Sequence, residues 1–304
     1  MPIEPVDKVW MNGKLIDWAD ATVHVLSHAL HYGTGVFEGI RCYDTSRGPA
    51  IFRPREHYER MHRSASIFLM DIPYSADELV EATRELIRVN ELRECYIRPL
   101  AFRGYGEMGV NPDRNPVEVT IAVWPWGAYL GEEALKRGVR MTISSWRRHD
   151  PNIIPPQAKV TGAYINASMA KLEAVRSGFD EAIMLNPQGY VSEATGENIF
   201  VVLDGEIFTP PLGAGPLPGI TRSSVMTVAA DLGMPIRERQ LTRSDLYSAD
   251  EIFCTGTAAE VTPVREIDHR IIGGPGPITL TLQQHYFAIM RGEDDKYLEW
   301  LDFP

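Results

Sequence analysis

The stretch from Pro151 to Ala170, PNIIPPQAKVTGAYINASMA, decides how the rest of the chain is interpreted. Lys159 is its only ionisable side chain apart from Tyr164, although a surface loop of this length normally carries several charges. Three prolines stiffen the approach to the lysine, and a helix-like run begins soon after Gly162. A lysine in apolar, rigid surroundings loses the hydration of its ammonium group, so its pKa should fall and a neutral amine should become available.

Two interpretations of Lys159 stay open on this stretch alone. A neutral lysine amine can form a Schiff base with a carbonyl, which is how enzymes bind pyridoxal phosphate (PLP). Alternatively, the side chain extends its ammonium group to solvent from a loop that carries few charges. The second interpretation is the more common one for a single lysine, so other segments must decide.

The composition is typical of a soluble globular protein. The 304 residues are enough for two domains with a core each, and hydrophobic and charged residues make up 44% and 23% of the chain. The formal net charge of −11 argues against nucleic acid or an anionic membrane as a partner. No apolar run approaches the roughly 18 residues that span a bilayer, and no secretory leader is evident at the start.

The cysteines indicate a reducing compartment. Cys42, Cys95 and Cys254 are odd in number, far apart and without CxxC spacing. This pattern fits neither a disulfide framework nor a zinc site. We therefore expect a cytoplasmic protein that binds no metal.

The order of the predicted elements indicates a mixed α/β (α+β) fold in two domains. The first half combines hairpin-connected strands, one pair joined at Asn12-Gly13, with two helices, the second opened by a capping box at Ser75–Glu78. The run at 125–131, PWGAYLG, is interpreted as a linker, with an ordinary loop as the alternative. We predict a small N-terminal domain at 1–124, a linker at 125–137 and a larger C-terminal domain at 138–304.

Two segments of the second half could bind anions through backbone N–H groups. The segment Leu217–Arg222, LPGITR, stands at a helix start, where free N–H groups and the dipole favour an anion by up to about 2 kcal/mol. The Thr221 hydroxyl could add a donor, although a simple N-cap is its commoner role. The segment Gly256–Ala259 follows a strand and offers a similar set of amides, with a plain turn as the alternative.

Three charged residues add to this pattern. Glu193 ends a strand before a tight turn and could pair with a protonated pyridine nitrogen, although a solvated turn glutamate is the commoner case. Arg60 shares a helix face with His57 and Ser64 by i, i+3 and i+4 spacing. Arg98 is a lone cation in an apolar, aromatic strand, where a solvent-facing position is the usual interpretation.

Together these residues resemble the branched-chain-amino-acid aminotransferases of PLP fold type IV, and most closely the bacterial ones. Segments that look like the small domain and linker of that family are HYGTGVFEGIR (31–41), YIRP (96–99), GVNP (109–112) and PWGAY (125–129). Segments that look like the large domain are KVTGAY (159–164), SEATGEN (192–198), LPGITR (217–222) and GTAAE (256–260). Each motif is weak, but the set covers essentially the whole chain in order and is highly specific.

The resemblance implies a small N-terminal α/β sandwich and a larger C-terminal pseudo-barrel α/β domain that binds PLP. It implies ping-pong transamination of L-valine, L-leucine and L-isoleucine with 2-oxoglutarate and L-glutamate. The partners would be small amino acids and 2-oxo acids. The assembly would be a homodimer at least, with a homohexamer as the larger alternative.

The resemblance also assigns roles to residues of this chain. Lys159 would hold PLP covalently and move the proton between the substrate Cα and the cofactor C4′. The other cofactor contacts would be Glu193 at the pyridine nitrogen, Tyr164 at the phenolic oxygen, Leu217 against the ring, and Arg60, Ile220, Thr221 and Thr257 at the phosphate. The substrate contacts would be the amides of Ala258 and Ala259 beside Thr257, the walls Phe37, Tyr96, Trp126 and Tyr129, the neighbouring subunit's Tyr32 and Val110, and Arg98 at a distal carboxylate.

Some alternatives stay open within and beyond this family. Val160-Thr161 is bulkier than the pair often found after the lysine, and Met61 replaces a usual leucine, so fine substrate preference is not determined. The same fold class includes D-amino-acid and (R)-amine aminotransferases and aminodeoxychorismate lyases, which Lys159 and Glu193 alone do not separate. A catalytically silent binding protein is the alternative from another class, and the competent residues at every cofactor position argue against it.

Overall fold

The structure is a computed structural model that describes residues 3–127 and 131–304. Its strands, β1 to β17 in chain order, are Lys8–Met11, Lys14–Asp17, Gly35–Phe37, Ile40–Thr45, Gly48–Phe52, Cys95–Arg103, Val117–Trp124, Val139–Ile143, Glu181–Leu185, Val191–Ala194, Asn198–Leu203, Glu206–Thr209, Ile236–Glu238, Glu251–Gly256, Glu260–Ile267, Arg270–Ile271 and Leu301–Asp302. Its α-helices, α1 to α8, are His28–Tyr32, Pro54–Ile67, Ala76–Val89, Glu132–Arg137, Tyr164–Arg176, Ile220–Asp231, Arg243–Tyr247 and Pro277–Met290.

The chain divides into two compact units. The first unit consists of residues 1–127, 158–163 and 289–304, and the second consists of residues 128–157 and 164–288. The first unit thus includes two segments that follow the predicted linker in sequence. They are the Lys159 segment at 158–163 and the C-terminal residues 289–304, which begin at the end of α8. Compact units need not coincide with domains, so the predicted domain boundaries stay a prediction.

The first unit is built on an antiparallel sheet. The strand order is β17-β5-β4-β6-β7-β1-β2, and β3 pairs with β6. Asn12 and Gly13 join β1 to β2 with φ angles of 49° and 85°, as a type I′ turn requires. The predicted capping box opens α3, because the Ser75 hydroxyl accepts the Glu78 N–H and the Glu78 carboxylate accepts the Ser75 N–H. The largest fully buried side chains of this unit include Tyr58, Met61, Leu79, Leu86, Ile97 and Ile121.

One predicted strand of the first unit is divided in two. The apolar run at 36–43 predicts one continuous strand, but β3 ends at Phe37 and β4 begins at Ile40. A Cβ atom at Gly39 would lie 2.0 Å from the Tyr96 hydroxyl oxygen, so the backbone approaches that ring closely here. The break therefore lies at a long-range contact, which an apolar pattern does not reveal.

The second unit is built on a mixed sheet with the strand order β10-β9-β8-β15-β14-β11-β12-β13, and β16 pairs with β15. The pairs β8/β9, β8/β15 and β12/β13 are parallel, and the other pairs are antiparallel. Helix α5 places Ala170 and Ala174 in a buried cluster with Phe179 and Met184. The small alanine side chains let the helix lie close to β9.

Three further observations concern the whole described chain. Cys42, Cys95 and Cys254 are free and buried. No helix within residues 3–127 and 131–304 is long and apolar enough to cross a membrane. The same residues contain no group of three or more His, Cys, Asp or Glu side chains that could hold a metal ion.

Candidate active site

Lys159 lies in the first unit, and both its backbone N–H and its carbonyl form hydrogen bonds to other segments. Its N–H donates to the Ser64 hydroxyl of α2 at 3.0 Å, and its carbonyl accepts the Phe37 N–H at 3.0 Å. The side chain is half-buried, and Nζ lies 4.8 Å from the centroid of the Phe37 ring. The backbone bonds therefore fix the point from which the amine extends.

Two glycines allow the Lys159 segment to lie this close to the rest of the first unit. The Gly162 N–H donates to the Gly33 carbonyl at 3.2 Å, and the Thr161 hydroxyl donates to the same oxygen at 2.8 Å. A Cβ atom at Gly33 would lie 2.7 Å from the Gly162 Cα, and Gly33 has a φ of +67°. A side chain at position 33 would push the segment away.

Arg60 binds a buried carboxylate that the sequence reasoning missed. Its Nε and one terminal nitrogen donate to the two oxygens of Glu38 at 2.7 and 2.6 Å, and Glu38 is 0% exposed. His57 Nδ1 donates to Glu38 at 2.8 Å. Burial would raise the pKa of Glu38, but Arg60 and His57 hold that pKa well below its usual range. Burial also lowers the pKa of His57, so its ring donates in the neutral form.

The predicted helix face of His57, Arg60 and Ser64 is confirmed by these contacts. The first two side chains bind Glu38, and the Ser64 hydroxyl binds the backbone of Lys159. One face of α2 therefore orients both the arginine and the lysine of the candidate site.

Arg98 lies among aromatic rings in the first unit. Its guanidinium carbon is 5.1 Å from the Phe37 ring centroid and 5.2 Å from the Tyr96 ring centroid. Within the described residues its Nε has no hydrogen-bond partner, and a terminal nitrogen makes a long 3.5 Å bond to the Tyr96 hydroxyl. The Trp126 ring extends the aromatic surface, 5.3 Å from Tyr96. Tyr129, predicted as a further wall, lies outside the described residues.

Tyr32 and Val110 are exposed, at 44% and 82%. The buried His28 connects their two segments, because its Nε2 donates to the Gly109 carbonyl at 2.6 Å and its ring lies 4.5 Å from the Tyr32 ring. The structure thus joins the segments of Tyr32 and Val110, which the sequence separates widely.

Glu193 lies in the second unit on β10, which is buried throughout. One of its oxygens accepts the Leu217 N–H at 2.9 Å, and the other pairs with the Arg148 guanidinium at 2.8 Å. The Asn198 amide donates to the Leu217 carbonyl at 2.9 Å and to Glu193 at 3.4 Å. The predicted cofactor residues Glu193 and Leu217 are therefore adjacent. The sequence reasoning assigned no role to Arg148 or Asn198, and nothing in the pair Arg147-Arg148 indicates which arginine turns inward.

Helix α6 begins at Ile220 after the extended N-cap residue Gly219, and no side chain caps it. Thr221 is buried in the first turn, so the alternative interpretation of Thr221 as an N-cap is wrong. A Cβ atom at Gly219 would lie 2.0 Å from Asn198 Oδ1, so a side chain there would force Asn198 to move. The first N–H groups of this helix have no acceptor within the helix, which makes its N-terminus suited to an anion.

The residues 257–259 form the turn between β14 and β15. Gly256 pairs with Glu260 across the turn, and Glu260 has a left-handed φ of 56°. Successive backbone N–H groups in such a turn can bind a carboxylate. Tyr164, the remaining predicted cofactor contact, begins α5 and is half-buried.

Two more carboxyl groups are buried in the second unit. Glu181 accepts from Lys171 Nζ and from the Thr195 hydroxyl, both at 2.6 Å. Burial and then repulsion from Glu181 raise the pKa of Glu197 to about 8, and Glu193 adds to this effect. Glu197 is therefore mostly protonated at neutral pH, whereas Glu181 has a cation beside it.

Comparison with known proteins identifies the family. The sequence model described as amino-transferase class IV matches residues 35–267. The chain belongs to the class IV aminotransferases. The branched-chain-amino-acid aminotransferase of Escherichia coli (strain K12) is 50% identical over 305 residues, with 99% of each chain covered. That of Pseudomonas aeruginosa is 51% identical over 294 residues, with 96% of this chain and 95% of the relative covered.

Solved structures of such enzymes match this class IV chain along nearly its whole length. The crystal structure of the Escherichia coli branched-chain amino acid aminotransferase has a TM-score of 0.96 at 50% identity and covers 98% of this chain and 99% of that one. The Thermobaculum terrenum enzyme in its PLP form has a TM-score of 0.92 at 36% identity and covers 98% of both chains. The predicted resemblance, the mixed α/β fold with two sheets and the aminotransferase class are confirmed. PLP chemistry is general in this family, so the predicted cofactor is confirmed at the level of the family.

The residues of this class IV aminotransferase fit PLP by their chemistry. A phosphate suits the uncapped N-terminus of α6, where Gly219 has no side chain to stand in the way. A protonated pyridine nitrogen suits the buried carboxylate of Glu193, and an aldehyde suits the amine of Lys159. The roles of the individual residues stay predictions.

Proposed function

We propose that this class IV aminotransferase moves the amino group of L-leucine, L-isoleucine and L-valine to 2-oxoglutarate, with PLP as its cofactor. The names of the relatives in Escherichia coli and Pseudomonas aeruginosa support the amino acid class. The observation that carries the proposal is the arrangement of Arg98, a cation with an unused Nε donor between the rings of Phe37 and Tyr96. Such a site can accept both an aliphatic side chain and a second carboxylate.

PLP supplies the electron sink for the substrate Cα and carries the amino group from one half-reaction to the other. Lys159 binds the cofactor and transfers the proton at the substrate Cα, for which its amine must be neutral. The backbone bonds to Ser64 and Phe37 hold this lysine in place. Glu193 binds the pyridine nitrogen as a carboxylate, Tyr164 binds the phenolic oxygen, and Leu217 packs against the ring.

The phosphate and the substrate α-carboxylate are bound mainly by backbone groups in this proposal. Ile220 and Thr221 at the start of α6 bind the phosphate with Arg60 and Thr257, and the amides of Ala258 and Ala259 bind the α-carboxylate. The role of Arg60 is supported by its two hydrogen bonds to the carboxylate of Glu38, which hold the guanidinium in one orientation. An oriented cation loses little conformational freedom when an anion binds.

The proposed pocket for the substrate side chain combines two kinds of contact. Phe37, Tyr96, Trp126 and Tyr129 would enclose an aliphatic side chain, and burial of apolar area is worth about 25 cal/mol per Å². Arg98 would bind the distal carboxylate of glutamate, which is too costly to bury without a cation. Stacking on Phe37 and Tyr96 supports this dual role, because aromatic faces accommodate the guanidinium when no carboxylate is bound.

We further propose a homodimer at least, with a homohexamer as the larger alternative, in which Tyr32 and Val110 reach the neighbouring subunit's site. The exposure of these apolar residues supports the assembly. The proposed location is the cytoplasm, and the free thiols of three buried cysteines support it. Sedimentation velocity and cell fractionation test the two proposals.

A panel of half-reactions tests the function. The holoenzyme is mixed with single L- and D-amino acids, an (R)-amine and aminodeoxychorismate, and the change in cofactor absorbance is followed by stopped flow. L-leucine, L-isoleucine, L-valine and L-glutamate should convert the cofactor, while D-leucine and D-glutamate should not. The apoprotein without PLP is the control. Faster conversion by a D-amino acid or the (R)-amine, or an elimination product from aminodeoxychorismate, would assign another activity of the same fold class.

A further inference from the structure

We propose that Arg148 is a positioning residue for cofactor binding, which keeps the Glu193 carboxylate ionised and in one orientation. This inference rests on the proposed function, which assigns Glu193 to the pyridine nitrogen of PLP. Arg148 would not touch the cofactor itself, and it would act only through Glu193.

The geometry of the pair supports a fixed carboxylate. A terminal nitrogen of Arg148 lies 2.8 Å from Glu193 Oε1, and each side chain is only 9% exposed. The Arg148 N–H donates to the Leu185 carbonyl at 2.9 Å, so the backbone of the arginine is bonded to the end of β9. The other oxygen, Glu193 Oε2, accepts the Leu217 N–H at 2.9 Å. The two oxygens are therefore held by separate parts of the chain, which leaves the carboxylate little freedom to rotate.

The charges of the second unit explain why Glu193 needs this cation. Three carboxyl groups are buried near one another, since Glu197 is influenced by both Glu181 and Glu193. Lys171 binds Glu181 at 2.6 Å, and Arg148 binds Glu193 at 2.8 Å. Glu197 has no such cation in contact with it in the described part of the chain, and it holds a proton at neutral pH.

The state of Glu197 shows what a buried carboxyl group becomes in this region without a cation of its own. Removal of Arg148 would take this cation from Glu193, and the apolar interior would then favour the neutral form of the carboxyl group more strongly. A neutral carboxyl group cannot form an ion pair with a protonated pyridine nitrogen. The hydrogen bonds from Leu217 and Asn198 stabilise the carboxylate, but they bring no net positive charge.

The test measures cofactor affinity and does not depend on turnover. The apoenzymes of wild type, Arg148→Gln, Arg148→Lys, Glu193→Gln and the double variant Arg148→Gln/Glu193→Gln are titrated with PLP. Each is also titrated with 1-deazapyridoxal 5′-phosphate, which has a carbon atom in place of the pyridine nitrogen. The matched control is Arg147→Gln, which removes the same charge from the neighbouring exposed arginine, whose side chain binds the Pro187 carbonyl.

Arg148→Gln should weaken PLP binding by about 10–100-fold, as expected for loss of a charge-assisted contact. Arg148→Lys should recover part of the affinity, and Arg147→Gln should match wild type. The deaza analogue should bind equally to all variants. The double variant should bind PLP no more weakly than Glu193→Gln alone, because the two residues act as one unit.

Three results would overturn the inference. If Arg148→Gln weakened the binding of PLP and of the deaza analogue equally, Arg148 would have a general structural role. The same would follow if the losses of PLP affinity in the two single variants multiplied in the double variant. If Glu193→Gln itself bound PLP as tightly as wild type, the assignment of Glu193 would fail, and the role of Arg148 would fail with it. Glu193→Gln alone therefore separates failure of the proposed function from failure of the inference about Arg148.

Discussion

The two units of the molecule bury charge in opposite proportions. Among the described residues of the first unit Glu38 is the only buried acid. Both Arg60 and His57 bind it, and its pKa lies well below the usual range. In the described part of the second unit, three of the buried carboxyl groups, Glu181, Glu193 and Glu197, lie near one another with two cations in contact, and the pKa of Glu197 rises to about 8. Both acids are almost completely buried, so burial alone does not decide their charge. The number of cations in contact decides it.

This difference suits the proposed roles of the two units. The first unit carries an amine and two guanidinium groups, at Lys159, Arg60 and Arg98, which would bind or transfer groups on anionic substrates. The second unit holds the carboxyl group of Glu193 between a cation and a backbone N–H group. Substitutions of these charged residues should therefore change activity or stability by very different amounts.

The largest effect is expected for the amine of the first unit. Lys159→Ala should lower turnover by at least about 10²–10⁴-fold, which is the usual contribution of general acid–base catalysis, because covalent binding of PLP is lost as well. The variant should also lack the absorbance of the lysine-bound cofactor. Steady-state rates with L-leucine and the absorbance spectrum check this. The control is Lys14→Ala, which removes an exposed lysine of β2. Near-normal turnover of Lys159→Ala would exclude Lys159 from the reaction.

The next effect is on the free energy of unfolding, and it tests the buried carboxylate of Glu38 in the first unit. Glu38→Gln leaves the buried Arg60 without its carboxylate, and loss of one partner of a buried ion pair typically costs about 3–5 kcal/mol. The free energy of unfolding of the apoprotein in urea should fall by that order. The double variant Glu38→Gln/Arg60→Met should recover part of the loss, because no unpaired charge remains. Equal stability of wild type and Glu38→Gln would mean that the pair contributes nothing.

A smaller effect separates the two uses of the proposed substrate pocket. Arg98→Leu should slow the half-reaction with L-glutamate by about 10–100-fold, since a charge-assisted hydrogen bond contributes roughly 1.5–3 kcal/mol and each decade corresponds to about 1.4 kcal/mol. The half-reaction with L-leucine should change much less, because an aliphatic side chain has no group for a guanidinium to bind. Single-turnover stopped flow measures both. Equal losses for both substrates would make Arg98 structural.

The smallest effect at neutral pH is expected for the protonated acid of the second unit. Glutamine in Glu197→Gln resembles the neutral acid and can still accept the Gly196 N–H, which now donates to Glu197 at 3.1 Å. The pKa of Glu197 is about 8 in the folded protein, against an ordinary value of 4.5. Between these values the folded state binds more protons than the unfolded state, so wild-type stability should fall as the pH rises.

The variant lacks this titration, which gives a direct measurement. Melting temperatures of wild type and Glu197→Gln should agree near pH 5, and the variant should be the more stable protein at pH 9. Scanning calorimetry of both apoproteins over this range checks the slope. Parallel curves would show that Glu197 is ionised in the folded protein at neutral pH.

The parts of the fold that the sequence predicted are decided within a few residues. The turn at Asn12-Gly13, the capping box at Ser75–Glu78 and the shared face of His57, Arg60 and Ser64 depend only on neighbouring positions. The parts that it missed depend on distant ones. The break between β3 and β4 lies where Gly39 contacts Tyr96, and no local pattern contains that contact.

The same limit applies to the candidate site. The sequence assigned roles to Lys159, Arg60 and Glu193. It assigned none to Glu38, which lies within the 31–41 motif and pairs with Arg60, or to Arg148, which pairs with Glu193. Glu38 and Arg60 are 22 residues apart and meet only because α2 lies beside the short strand β3. Individual charges can be found in a sequence, whereas their partners follow from the fold.

The position of β17 has a consequence for the synthesis of the chain. Leu301 and Asp302 pair with Phe52 and Ile51 of β5, and the Arg84 guanidinium binds Asp302 at 2.7 Å. These residues are translated after the whole of the second unit, which ends at residue 288. Domains usually fold on the ribosome in the order in which they are made. Here the outer edge of β5 stays unpaired until β17 has left the ribosome. The unit whose translation begins first is therefore the last to complete its sheet.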